Sequence, residues 1–168
     1  GLTLIKQNIH TLSIYVTNKP GVLSRISTVF ARRGFNIESL VVSPAHDAGY
    51  SRMTITAEGA PESLEQIIKQ VDKLVDVIQC SEHSKTGVLE VELALIKVKF
   101  QESNRLELFQ MIQHFKAFTV DFTESTLVIR VTGVTEKIDS FVALLQKFNI
   151  LEIVRTGKVL MARGPEKT

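Results

Sequence analysis

The chain opens with a short apolar run, Leu12 to Val16, inside a strand read over roughly Ile9 to Val16. Asn18, Pro20 and Gly21 follow as a tight turn, since Pro fixes φ and Gly tolerates any φ. Val22, Leu23, Ile26, Val29 and Phe30 then recur at i, i+1, i+4, i+7 and i+8, one face of a helix. Arg32 and Arg33 in its last turn and Gly34 just beyond it mark the helix end. Ile37 to Ser43 reads as a strand, Pro44 to Gly49 breaks it, and Tyr50 to Ala57 alternates as the returning strand of a hairpin. Gly59-Ala60-Pro61 opens a second helix whose buried stripe is Leu64, Ile67, Ile68, Val71 and Leu74. Val75 to Ser81 is the last strand of a β-α-β-β-α-β series, which right-handed crossovers fold into a four-stranded antiparallel sheet backed by two helices.

The same order recurs after a short polar linker, Ser84-Lys85-Thr86-Gly87. Leu89 to Phe100 is a long strand, and Leu106, Phe109, Ile112 and Phe115 mark a helix. Phe118 to Phe122 and Leu127 to Val131 form a hairpin around Glu124-Ser125. Ile138, Phe141, Val142, Leu145 and Phe148 line a fourth helix, Ile150 to Arg155 closes the unit, and the tail from Arg163 to Thr168 is expected to fray. The fold class is therefore α+β: two ferredoxin-like βαββαβ units, over residues 8–83 and 87–164, each of a size ordinary for a small domain. The halves share an order of elements without residue-level identity.

Composition narrows the function. An apolar fraction of 44% supports a folded core. A net charge of +2 is too small to point to a nucleic-acid binder. The single cysteine, Cys80, excludes an internal disulfide and any CxxC motif, and reads as a small buried hydrophobe. No apolar run approaches the length of a membrane span and no signal-peptide pattern opens the chain, so a soluble, reducing compartment is expected. His10, His46, His83 and His114 are scattered without metal-ligand spacing. Gly21-Val22-Leu23-Ser24-Arg25 matches the letters of an acylphosphatase loop, but the glycine-arginine part that precedes them there is missing, so Arg25 reads as an exposed helix charge and no catalysis is expected. An RNA-recognition module shares the element order, yet Tyr50 to Ile55 supplies one aromatic and no basic-aromatic pattern for stacking.

The first helix begins without Ser, Thr or Asp immediately before Val22. Free N–H groups at such an end, approached over a glycine, suit a carboxylate or phosphate. From these residues alone the plainer reading is a strand-to-helix bend with Asn18 capping from a distance.

Asn18-x-Pro20-Gly21-Val22-Leu23, followed by Arg32-Arg33-Gly34-Phe35-Asn36-Ile37-Glu38-Ser39-Leu40, resembles the opening of the small regulatory subunit of acetolactate (acetohydroxyacid) synthase. The resemblance extends through Ser51 to Ile55, Lys73 to Val77, Leu95 to Val98 and Glu152 to Gly157. Two departures stand out: Lys19-Pro20, where the family commonly has an acidic then a small residue, and Val91, where it usually has Arg. The first bears on effector affinity and identity.

The resemblance implies that the first unit is an ACT domain and the second an ACT-like C-terminal domain. It implies a non-catalytic subunit with no cofactor of its own. Its partner would be a catalytic large subunit, with thiamine diphosphate, Mg²⁺ and usually FAD, whose activity it raises. It further implies a homodimer through ACT domains, with valine (or leucine or isoleucine) bound at the interface as feedback inhibitor. Asn18, Lys19, Pro20, Gly21, Val22 and Leu23 would form one wall of that site, and Asn36 and Ile37 would face the loop of the partner copy. On the residues alone, Asn36 is a post-glycine turn residue and Ile37 plain core. Neither nucleic acid nor membrane is expected as a partner, and the location implied is bacterial cytoplasm or plastid stroma. A free-standing ACT-type amino-acid sensor shares the same ligand site; the Arg32 to Leu40 run and the C-terminal half favour the synthase subunit.

Overall fold

The computed structural model describes residues 8–83 and 87–168, so most of the polar linker read at 84–87 lies outside the described residues. The chain forms two compact units, one running to Leu89 and taking in Val159–Thr168, the other Glu90–Lys158.

In the first unit the strands are β1 (Ile9–Thr17), β2 (Asn36–Pro44), β3 (Tyr50–Glu58) and β4 (Val77–Glu82), with helices α1 (Val22–Arg32) and α2 (Pro61–Asp72). The sheet order is β2-β3-β1-β4 and all its pairings are antiparallel. Alternation along β1 sends Leu12, Ile14 and Val16 to the helix-covered face, where Val22, Ile26 and Phe30 of α1 and Leu64, Ile67 and Val71 of α2 meet them. Each large side chain removed from water here contributes about 1.5–3 kcal/mol. Pro61 stands in the first turn of α2, where its missing N–H leaves no bond unmade. β4 starts two residues later than expected: Val75 is 95% exposed in a turn closed by the Val77 amide on the Leu74 carbonyl.

The second unit contains β5 (Val88–Lys99), α3 (Arg105–His114), β6 (Phe118–Phe122), β7 (Thr126–Gly133), α4 (Thr135–Leu145) and β8 (Asn149–Arg155). Its strand order, β6-β7-β5-β8, repeats that of the first sheet, and a further strand, β9 (Val159–Ala162), pairs with β5. α4 buries Ile138, Phe141 and Leu145 as its periodicity predicts. α3 keeps most of its expected stripe: Ile112 is buried and Phe109 and Phe115 pack partly buried against the core. Leu108 is buried beside them, whereas Leu106, in the first turn after a 3₁₀ turn over Glu102–Asn104, is exposed.

The tail is tied rather than frayed. The Arg163 amide donates to the Gly87 carbonyl at 2.9 Å, the Ala162 amide to Thr168 Oγ1 at 2.8 Å, and Arg52 Nη1 to the Thr168 carbonyl at 2.9 Å. Gly164, with φ at +70°, makes the turn that allows this return.

Candidate functional site

The loop between β1 and α1 is fixed from both flanks. The Thr17 amide donates to the Asp76 carbonyl at 2.8 Å, and the Asn18 amide donates to the Gly49 carbonyl in the β2–β3 turn at 2.8 Å. Gly21 stands at the helix N-cap with φ at +85°, a left-handed conformation that a residue with a Cβ adopts only at a cost. The Arg25 amide makes the first helical bond, to the Gly21 carbonyl at 3.1 Å. No side chain caps this end, Asn18 included, and no acidic residue lies in the first turn. The backbone N–H groups of the first turn therefore carry the positive end of the helix dipole toward the loop. Val22 turns into the core at 3% exposure, whereas Leu23 faces outward at 38%.

A charged cluster frames the same glycine. Arg25 Nη2 pairs with Asp76 Oδ2. Thr17 Oγ1 donates to Asp76 Oδ1 at 3.1 Å, and Lys19 Nζ lies 3.9 Å from the same oxygen. Asp76 is largely buried; both cations are well exposed. Two cations around one carboxylate leave a surplus positive charge beside the uncapped helix end. Arg25 is exposed on the helix, as read from the sequence, but it is also bound in place. Neither its partnership nor Asp76 was evident beforehand, because the pair is separated by 51 positions and no spacing rule links them.

Asn36 and Ile37 lie elsewhere. Thr17 is opposite Tyr50 on β3, whereas Asn36 is opposite Glu58. The two ends of β3 are separated by roughly 27 Å at about 3.4 Å per residue. Asn36 is exposed, its Nδ2 donating to Glu38 Oε1 at 3.0 Å, and Ile37 packs partly buried against the core. Within one chain, residues 18–23 gather into one loop and residues 36–37 form a separate patch at the opposite end of the sheet.

The arrangement offers donors and positive charge for a carboxylate, with no nucleophile and base converging on it. Cys80 is buried in β4, and burial, with the Asp72 carboxylate adding, pushes its thiol up to about 12. Among the described residues, no group of three or more His, Cys, Asp or Glu side chains is placed to hold a metal ion, and no helix is long and apolar enough to cross a membrane. A shallow groove of about 200 Å³ lies over Leu95, Lys97, Val128, Glu152 and Val154 in the second unit. Its Lys97 and Glu152 face each other at 3.7 Å and occupy one another's charge, so it lacks the converging donors of the loop.

A family model described as "AHAS small subunit-like ACT domain" matches residues 12–79, and one described as "Small subunit of acetolactate synthase" matches residues 91–164. The chain is 44% identical over 158 residues to an Archaeoglobus fulgidus protein named "Probable acetolactate synthase small subunit", covering 94% of this chain and 99% of that relative. It is 42% identical over 156 residues to the "Acetolactate synthase small subunit" of Mycolicibacterium smegmatis, covering 93% of this chain and 92% of the relative. The crystal structure of an acetolactate synthase small subunit from Thermotoga maritima superposes with a TM-score of 0.84 at 38% identity, covering 94% of this chain and 99% of that one.

Proposed function

The chain belongs to the acetolactate synthase small subunit family, and from that premise we propose that it is the non-catalytic regulatory subunit, conferring feedback inhibition by valine or another branched-chain amino acid on its catalytic partner. Its partner is a catalytic large subunit, which it activates, and its setting is the bacterial cytoplasm or plastid stroma. The family match over residues 91–164 supports this over a free-standing amino-acid sensor.

The observation that carries the reading is the uncapped, glycine-led start of α1 beside the surplus charge of Lys19 and Arg25. A zwitterionic amino acid needs donors for its carboxylate, an acceptor for its ammonium and an apolar slot. The N–H groups around Gly21, Val22 and Leu23 serve the first, the Asn18 amide can donate or accept, and the exposed Leu23 side chain offers apolar surface. The distance to Asn36 and Ile37 supports a homodimer in which each site joins the loop of one chain to residues 36–37 of a second copy. The exposed edge strand β2, which carries both residues, is available for such pairing. A ligand bridging two copies shifts their packing only as far as its affinities for the two arrangements differ, and that difference is transmitted to the catalytic subunit.

Calorimetric titration of the full chain with valine, leucine, isoleucine and serine tests the reading, with Asn18→Ala as control. Saturable binding of a branched-chain amino acid that the substitution removes is expected. Binding of serine alone, or of none of the four, contradicts it.

A further inference from the structure

Arg25 is placed for more than anchoring its helix. An ideal Cβ built on Gly21 would come 3.0 Å from Arg25 Nη1, so the guanidinium lies across the open face of the glycine, against the backbone assigned above to the effector carboxylate. Asp76 engages the other amino group, Nη2. The guanidinium is a planar fork of five donors, and one carboxylate bound at one amino group leaves the fork able to receive a second. Asp76 is itself shared: Thr17 Oγ1 donates to its Oδ1 and Lys19 Nζ approaches the same oxygen. Sharing the carboxylate in this way leaves Arg25 less than fully neutralised. At roughly half exposure, the guanidinium is reached from solvent without unfolding anything.

We propose that Arg25 is the specificity-determining residue for the α-carboxylate of the effector, held across Gly21 by Asp76 so that its fork and the first-turn amides of α1 converge on one anion. The assignment rests on the proposal that this loop binds an amino acid, and it adds the group that separates a free amino acid from its carboxyl-blocked derivatives. Lys19 has a supporting part. Its Nζ, 3.9 Å from Asp76 Oδ1, divides the carboxylate's charge with Arg25.

The test compares valine with valinamide, which keeps the ammonium and side chain and lacks the carboxylate charge. Both are titrated calorimetrically into the full-length wild type, Arg25→Gln and Arg25→Lys, with circular dichroism to confirm the fold. Wild type is expected to prefer valine by at least about tenfold. Arg25→Gln should weaken valine by roughly ten- to a hundredfold, the range of a lost charge-assisted contact, while valinamide changes by no more than about twofold, so the preference collapses. Arg25→Lys, keeping the charge without the fork, should fall between.

Arg25→Gln weakening both ligands equally would mark the residue as a structural anchor only and overturn the assignment. Unchanged valine binding in Arg25→Gln would overturn it as well. Failure of the wild type to bind valine or any other branched-chain amino acid would instead remove the underlying functional reading, and this assignment with it.

Discussion

The two units share a strand order but differ at the junction after their first strand. In the first unit β1 runs into a left-handed Gly21 and an uncapped α1. In the second, β5 runs into a 3₁₀ turn closed by a capping box: the Gln101 amide donates to Asn104 Oδ1 at 2.9 Å, and the Asn104 amide is held in return. Neither α1 nor α3 has a side-chain cap of its own; the difference is that the second unit places a capped 3₁₀ turn ahead of its helix, where the first places a left-handed glycine. The second unit also spends charge on its own architecture. Glu92, 4% exposed, receives Arg155 Nε at 2.7 Å, Arg155 Nη2 at 3.2 Å and Thr135 Oγ1 at 2.8 Å. The same scaffold thus carries a glycine-led junction beside exposed cations in one unit and a buried, hydrogen-bonded Glu92 cluster in the other.

The sharpest way to break this contrast is Gly21→Val. The left-handed φ makes any Cβ costly, so a destabilisation of about 1–3 kcal/mol is expected. Binding of valine should fall by roughly five- to 160-fold, as a penalty of about 1–3 kcal/mol on the competent loop conformation would give. Thermal melts and calorimetry on one preparation would separate the two effects.

Next in size is Glu92→Gln, expected to cost about 2 kcal/mol by leaving Arg155 without its main partner. Valine affinity should not change. Burial works to raise the Glu92 carboxyl, but hydrogen bonds from Arg155 and Thr135 outweigh it and the net shift is downward. A carboxyl lowered on folding stabilises above its unfolded value, about 4.3 for Glu, and loses that contribution as pH falls through the folded value. The difference in melting temperature between wild type and Glu92→Gln should therefore be constant near neutrality and vanish on acidification below that range. A difference that persists at lower pH would show that Glu92 acts through shape rather than charge.

Asn104→Ala sharpens the comparison at the matched junction. Loss of the capping box should cost about 1 kcal/mol, with valine binding unaffected. Any loss of binding there would mean that the second junction is not the closed counterpart described above. The smallest expected effect concerns Cys80. With its thiol raised to about 12 and shielded in β4, it should resist iodoacetamide at pH 8 in the folded chain and react only on unfolding.

The elements that announced themselves in the sequence are those whose signals are local. The α1 stripe and the α4 stripe are 3.6-residue patterns: Val22, Ile26 and Phe30 and Ile138, Phe141 and Leu145 are buried as read, while Leu23, also read on the α1 face, is exposed. In α3 the stripe of Phe109, Ile112 and Phe115 meets the core, and only Leu106 departs, its place being taken by the equally apolar Leu108. β9 is short and follows a glycine turn, so it carried too little pattern to declare itself. The loop from Asn18 to Gly21 was legible as a turn before an uncapped helix. Asp76 was not legible as its anchor, because that role depends on long-range pairing of β1 with β4. The separation of Asn36 from the loop follows from the register of β3, which no reading of neighbouring residues contains.

That separation supplies the most direct test of the central claim, that an effector site forms from the loop of one chain and residues 36–37 of another. Asn18→Ala and Asn36→Ala chains would be prepared separately, mixed under conditions that exchange subunits, and titrated with valine. Each variant alone should bind weakly, since every site in either homodimer is damaged. The mixed dimer should regain one intact site, formed by Asn18 of one chain and Asn36 of the other, and so recover wild-type affinity at reduced stoichiometry. Exchange without recovery of high-affinity binding would contradict the claim and place both residues' effects within a single chain.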